Sequence, residues 1–137
     1  MLYHIIIFEY PSGKLIIEHT FKEIISEEFY GTLSDFLVAL RIFSQGITKK
    51  GQKLDLVQFG DMIIKLDHLE EVSIDLALVF NSNNKNIINK MVPQIKKKIL
   101  EYDSLFKNWN GVNKDQFSLL KEALLNTIRK VMYSDKI

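Results

Sequence analysis

The sequence predicts an α+β fold of three layers, a sheet with helices on both faces. Three observations predict it. Hydrophobic periodicity runs in the order β-β-α-β-β-β-α-α along the chain. The first strand is apolar on both of its sides, the mark of a strand covered by helices above and below. A length of 137 residues, 47% hydrophobic and 26% charged, suits one domain over residues 1–137 built on one sizeable core.

Leu2 to Tyr10 and Lys14 to Phe21 are rich in β-branched and aromatic residues, and Pro11-Ser12-Gly13 supplies turn chemistry between them. They read as a hairpin. With Ser12-Gly13 as a two-residue loop, Tyr10 lies opposite Leu15, Phe8 opposite Ile17 and Ile6 opposite His19. Tyr3, Ile5, Ile7 and Ile16 fall on the other face, so strand one is expected at the centre of the sheet.

A helix is expected from about Leu33 to Gln45, capped by Thr32 or Ser34 and ended by Gly46. Leu33, Phe36, Leu37, Leu40, Phe43 and Ile47 share one stripe and form its expected core face. Val38 and Ile42 point the other way. Such a pair on the far side of a helix is either incidental or part of a contact surface.

Gly46 to Lys53 reads as a polar loop, and Leu54 to Phe59, Met62 to Leu66 and Ser73 to Phe80 as three strands joined by short turns. Ile74 to Phe80, the most apolar, is expected beside strand one. Ile87, Ile88, Met91, Ile95, Ile99 and Leu105 hold one helical face for over five turns, with Pro93 off that stripe. Asn113 with Gln116 resembles a capping pair for a last helix reaching about Tyr133, whose buried stripe runs through Phe117, Leu120, Leu124 and Ile128.

Chemistry is sparse. The net charge of +1 lacks the footprint of a nucleic-acid binder, and the absence of cysteine removes disulfides and thiolate metal sites. The apolar start breaks at Glu9, too short for a signal or a span, so a cytoplasmic setting is expected, with any membrane contact peripheral. Neither nucleotide-binding glycine motif occurs, and no cofactor is expected. His4 and His19 could be diagonal neighbours on one hairpin face, yet no third ligand or acid stands beside them, and core or edge histidines are the preferred reading. His68, beside Asp67 and Glu70, reads as part of a solvated turn. Lys96-Lys97-Lys98 and Lys49-Lys50 could touch acidic lipids or an acidic partner, although short charge runs are usually solvated faces.

The element order, carried by the Tyr3 to Phe21 hairpin, the Thr32 to Gly46 helix, the Leu54 to Phe80 meander and two terminal helices, resembles the longin domain of membrane-trafficking proteins. Profilin-like and roadblock-like domains use related elements, but roadblock domains usually begin with a helix. The resemblance implies a five-stranded antiparallel sheet with strands one and five adjacent, the first helix on one face and the last two on the other. It also implies a non-enzymatic interaction module that dimerises with itself or with another longin or roadblock chain and serves small Ras-like GTPases or vesicle trafficking as a scaffold. The coiled coil and anchor of vesicle-fusion members do not follow within these residues, which makes solo longin proteins the expected analogue.

On that reading the expected partner interface is Val38 and Ile42 of the first helix with Leu54, Leu56 and Gln58 of the nearby edge strand. Two rivals predict other features. A small-molecule sensor or enzyme would need a deep pocket between sheet and helices, around His4 and His19. A profilin-like cytoskeletal binder would need a basic actin-facing surface or an exposed aromatic cluster, for which Tyr3, Tyr10, Trp109 and Tyr133 are the candidates.

Overall fold

The computed structural model describes residues 2–47, 55–111 and 113–136. The elements are β1 (Leu2–Glu9), β2 (Leu15–Thr20), α1 (Tyr30–Ile47), β3 (Leu56–Phe59), β4 (Met62–Leu69), β5 (Ile74–Asn81), α2 (Lys85–Glu101), the short α3 (Asp103–Lys107) and α4 (Ser118–Lys136). All five strands pair antiparallel in the order β2-β1-β5-β4-β3. The fold is α+β, with α1 on one face of the sheet and α2 packed beside α4 on the other.

Alternation along the inner strands divides the core. Ile5 and Ile7 of β1, Leu76 and Leu78 of β5, and Ile63 of β4 point to the α2/α4 side, against Ile88, Met91, Ile95, Ile99, Leu120 and Ile128. Ile6 and Phe8, Ala77 and Val79, and Ile64 and Leu66 point to the α1 side, against Tyr30, Leu37 and Val38. A β5 buried over seven consecutive residues, Ile74 to Phe80, follows from having a helical layer on each face. It is β5 that occupies the middle of the sheet, with β1 beside it.

The hairpin register differs from the expected one by two residues next to the turn and by one beyond it. Ile7 faces Ile17, Ile5 faces His19, and a bulge between Ile7 and Phe8 brings Phe8 opposite Leu15. The turn is longer than two residues: Glu9 N–H donates to the Lys14 carbonyl at 2.8 Å and Gly13 N–H to the Glu9 carbonyl at 2.8 Å. Gly13 has φ +78°, and a Cβ there would collide with Asp35 Oδ1. This close approach docks the turn onto α1.

The helix ends also depart from expectation. α1 begins at Tyr30, after a 3-10 turn over Glu27–Phe29 whose cap is Ser26, its hydroxyl accepting from Glu28 N–H at 3.4 Å. Thr32 and Ser34 lie inside the helix, as does Gly46. The long terminal stripe is split, with α2 ending at Glu101 and α3 starting at Asp103. Pro93 is accommodated within α2, on its exposed side. The 3-10 turn before α4 has Lys114 at its N-cap; Asn113 Oδ1 accepts from Asp115 N–H at 2.9 Å just ahead of it, while Gln116 donates to the Leu105 carbonyl at 2.9 Å instead of closing a capping box. The expected loop from Thr48 to Lys53, with Lys49 and Lys50, lies outside the described residues. Among the described residues no helix is long and apolar enough to cross a membrane.

Candidate functional site

The side of α1 that meets the sheet is the less apolar one. Its buried residues are Tyr30, Ser34, Leu37, Val38 and Arg41, three of them polar or charged. Each polar side chain is placed by a partner distant in sequence. Ser34 Oγ donates to the Gly13 carbonyl or to that of Gly31, both at 2.8 Å. Arg41 Nε donates to Asp75 Oδ2 at 2.8 Å, and both side chains are buried. Asp75 Oδ1 accepts from His68 Nδ1 at 2.8 Å, so one buried carboxylate joins α1, β4 and β5. Tyr10 packs against both neighbours, edge-on to His68 at 5.0 Å and beneath Arg41 at 5.9 Å. Among the described residues nothing accepts from the buried Arg41 Nη2, a cost offset only where the rest of the network is intact.

Tyr30 closes a second network. His4 Nε2 accepts from the backbone N–H groups of Ile24 and Ile25, at 3.2 and 3.0 Å, so that nitrogen carries its lone pair. The proton therefore sits on Nδ1, which donates to Tyr30 Oη at 2.7 Å with Thr20 Oγ1 at 3.1 Å. Tyr30 also bonds Thr20. Burial lowers the His4 pKa and raises that of Tyr30, holding both neutral at physiological pH.

With its polar residues turned inward, α1 turns apolar ones outward. Phe36 is 48%, Phe43 65% and Ile47 62% exposed, aligned on one flank at helical spacing with half-buried Leu40 between them. The sheet-facing side is thus rotated by about 100° from the stripe expected as core. Asp35 lies against Gly13, and helical spacing puts the Phe36–Phe43 flank on the other side of α1 from it. Leu33, Val57 and Met62 are half-buried against the α1-side core. Phe59, 52% exposed, shares the sheet face of Val57 on the outermost strand. The molecule thus presents an apolar flank on α1 and, among the described residues, an outermost strand edge at β3.

The expected interface residues fall differently. Val38 is only 6% exposed and packs with Leu37 and Ile64 in the core, so it offers no contact surface. Its burial follows from the same rotation of α1. Ile42 is 52% exposed, on the same flank of the helix as Asp35 seven residues earlier. Leu56 is half-buried and turned to the α2/α4 core, Gln58 is exposed with its amide donating to the Gly60 carbonyl at 2.9 Å, and Leu54 lies outside the described residues. Phe36 and Phe43 were missed because amphipathic periodicity assigns aromatic residues to the core; Ser34 and Arg41 within the same turns were the available signal.

The histidines separate as well. His4 faces α1, whereas His19, paired opposite Ile5, faces the other layer, where burial and then Lys121 and Arg129 lower its pKa. They do not form a pair. His68 is half-buried against Asp75 rather than solvated in a turn, because the register sets these two residues opposite each other. No group of three histidine or acidic side chains able to hold a metal occurs among the described residues. The four candidate aromatic residues do not converge: Tyr3 and Tyr10 pack on the α1 side, Trp109 packs on Phe117 on the other, and Tyr133 stands exposed on α4.

These features define a three-layer α+β protein, compatible with a longin- or profilin-like fold, whose first helix carries its apolar flank on the outside. Comparison with protein-family models and with curated proteins finds no match for the chain.

Proposed function

We propose that the protein is a non-enzymatic interaction module of the longin-like kind, which dimerises and acts as a scaffold for a small Ras-like GTPase or a trafficking assembly. The observation that carries this reading is the exposed flank of Phe36, Phe43 and Ile47 on α1. Three large apolar side chains aligned on one surface, with α1 bearing only Asp35 and Arg41 as charged residues, have the composition of an interface centre. The β3 edge adds a row of backbone groups able to extend the sheet into a second chain. Element order and sheet topology support the longin resemblance.

The test is sedimentation equilibrium of the purified chain, alone and with purified Ras-like GTPases loaded with GDP or a GTP analogue. Self-association or GTPase binding is expected, weakened at least tenfold, or about 1.4 kcal/mol, by Phe36→Asp with Phe43→Asp. A chain that stays monomeric and ignores every GTPase, or a variant that associates as tightly as the parent, removes the proposal.

A further inference from the structure

On the opposite side of the sheet, α2 carries five lysines against one glutamate, and α4 carries four basic residues against two acidic ones. Since the whole chain has a net charge of only +1, the remainder is net acidic and positive charge is concentrated in this one layer. Helical spacing sets Ile88, Met91, Ile95 and Ile99 of α2, and Leu120, Leu124 and Ile128 of α4, against the sheet. Lys90, Lys97, Arg129 and Lys130 are therefore exposed on the outward surface. At its margins Lys96 bonds Asp67 at 3.0 Å and Lys98 bonds Glu101 at 3.0 Å.

The basic residues do not stand alone. Leu119 and Tyr133 of α4 are each 68% exposed, and Leu100 of α2 is exposed among Pro93, Lys96 and Lys97. Between the helices runs a shallow groove of about 240 Å³, lined by Lys90, Gln94, Lys130 and Ser134.

We infer that the outward surface of the α2/α4 layer docks on an anionic lipid bilayer. Lysines present mobile point charges suited to laterally mobile headgroups, whereas bidentate recognition of a fixed phosphate favours arginine. Exposed leucine and tyrosine side chains interspersed with lysine give the composition of a surface that settles at the headgroup boundary. Such seating leaves the Phe36–Phe43 flank of α1 directed away from the membrane. The two surfaces lie on opposite sides of the sheet, so either can fail without the other.

The experiment is flotation of the full chain with vesicles of phosphatidylcholine alone or with about 30 mol% phosphatidylserine. Binding is expected only to the anionic vesicles, falling as salt is raised. Loss of three charges at roughly fivefold each lowers partitioning about 100-fold, and the triple variant Lys90→Glu, Lys97→Glu, Lys130→Glu, which also adds three negative charges, is expected to lower it by at least that much. The milder Lys→Gln set should fall in the same direction, and circular dichroism confirms that both sets are folded. Equal flotation with neutral and anionic vesicles, or an unaffected triple variant, overturns the inference. Binding of poly-glutamate by these lysines without any binding of vesicles also overturns it, in favour of an acidic protein partner.

Discussion

The two faces of the sheet are held by different means. On the α2/α4 side the helices meet the strands through isoleucine, leucine and methionine, and the charged residues of those helices are turned outward. On the α1 side three polar links share the work with the apolar core: Tyr30 to His4, Ser34 to the Gly13 carbonyl, and Arg41 to Asp75. Where polar residues go inward, apolar ones are left outside. The difference teaches that the outward character of each layer is set by what its inward side requires, and that α1 keeps a sticky surface because directional bonds fix its orientation.

The buried ion pair gives the largest test of this contrast. Arg41→Leu or Asp75→Leu alone should cost about 3–5 kcal/mol, because each strands a buried charge, while the double variant should cost less than the sum of the two. Urea denaturation measures all three. Strict additivity would mean that Arg41 and Asp75 do not act together. On the other face, Ile95→Ala should cost about 3 kcal/mol through an unfilled cavity, with no pH dependence.

The His4 network sharpens the comparison through pH. With its folded pKa held below the ordinary 6.5, His4 binds protons less readily in the folded chain than in the unfolded one. Its contribution is therefore complete above pH 6.5 and declines as pH falls through the lowered folded value. The melting temperature should drop on acidification, and His4→Asn, itself costing about 1–3 kcal/mol in lost hydrogen bonds, should flatten that slope. His19 shifts in the same direction, so the measurement is made in a His19→Gln background, where an unchanged slope would remove His4 as the cause.

The smallest effect is expected on the outer flank. Phe36→Asp and Phe43→Asp should change stability by no more than about 0.5 kcal/mol each. A loss of several kcal/mol in chemical denaturation would show that the flank is core.

Much of the architecture was legible because the signals were local. Continuous apolar runs marked β1 and β5, and a 3.6-residue stripe through Ile88, Ile95 and Ile99 marked α2. The orientation of α1 was not legible, since it depends on Asp75 and Gly13, which no sequence neighbourhood places beside Arg41 and Ser34. The hairpin register was lost to a turn longer than two residues, only partly offset by a bulge between Ile7 and Phe8, and alternation alone marks neither. The exposed flank at Phe36 and Phe43 went unread for the same reason as the inward face: a helix wheel has two sides to choose from, and the more hydrophobic one was the wrong choice.

The central position of β5 bears on how the chain is made. During synthesis the β1–β2 hairpin emerges early, but the strand that covers its inner edge spans residues 74–81. Until then the backbone groups of β1 on that edge and the apolar side chains on both its faces have no lasting partner. Closing so long a loop is slow in entropy terms, so this protein is expected to fold on the slower part of the small-domain range. Until β5 is made, the hairpin is thus the segment of the sheet most open to misassociation.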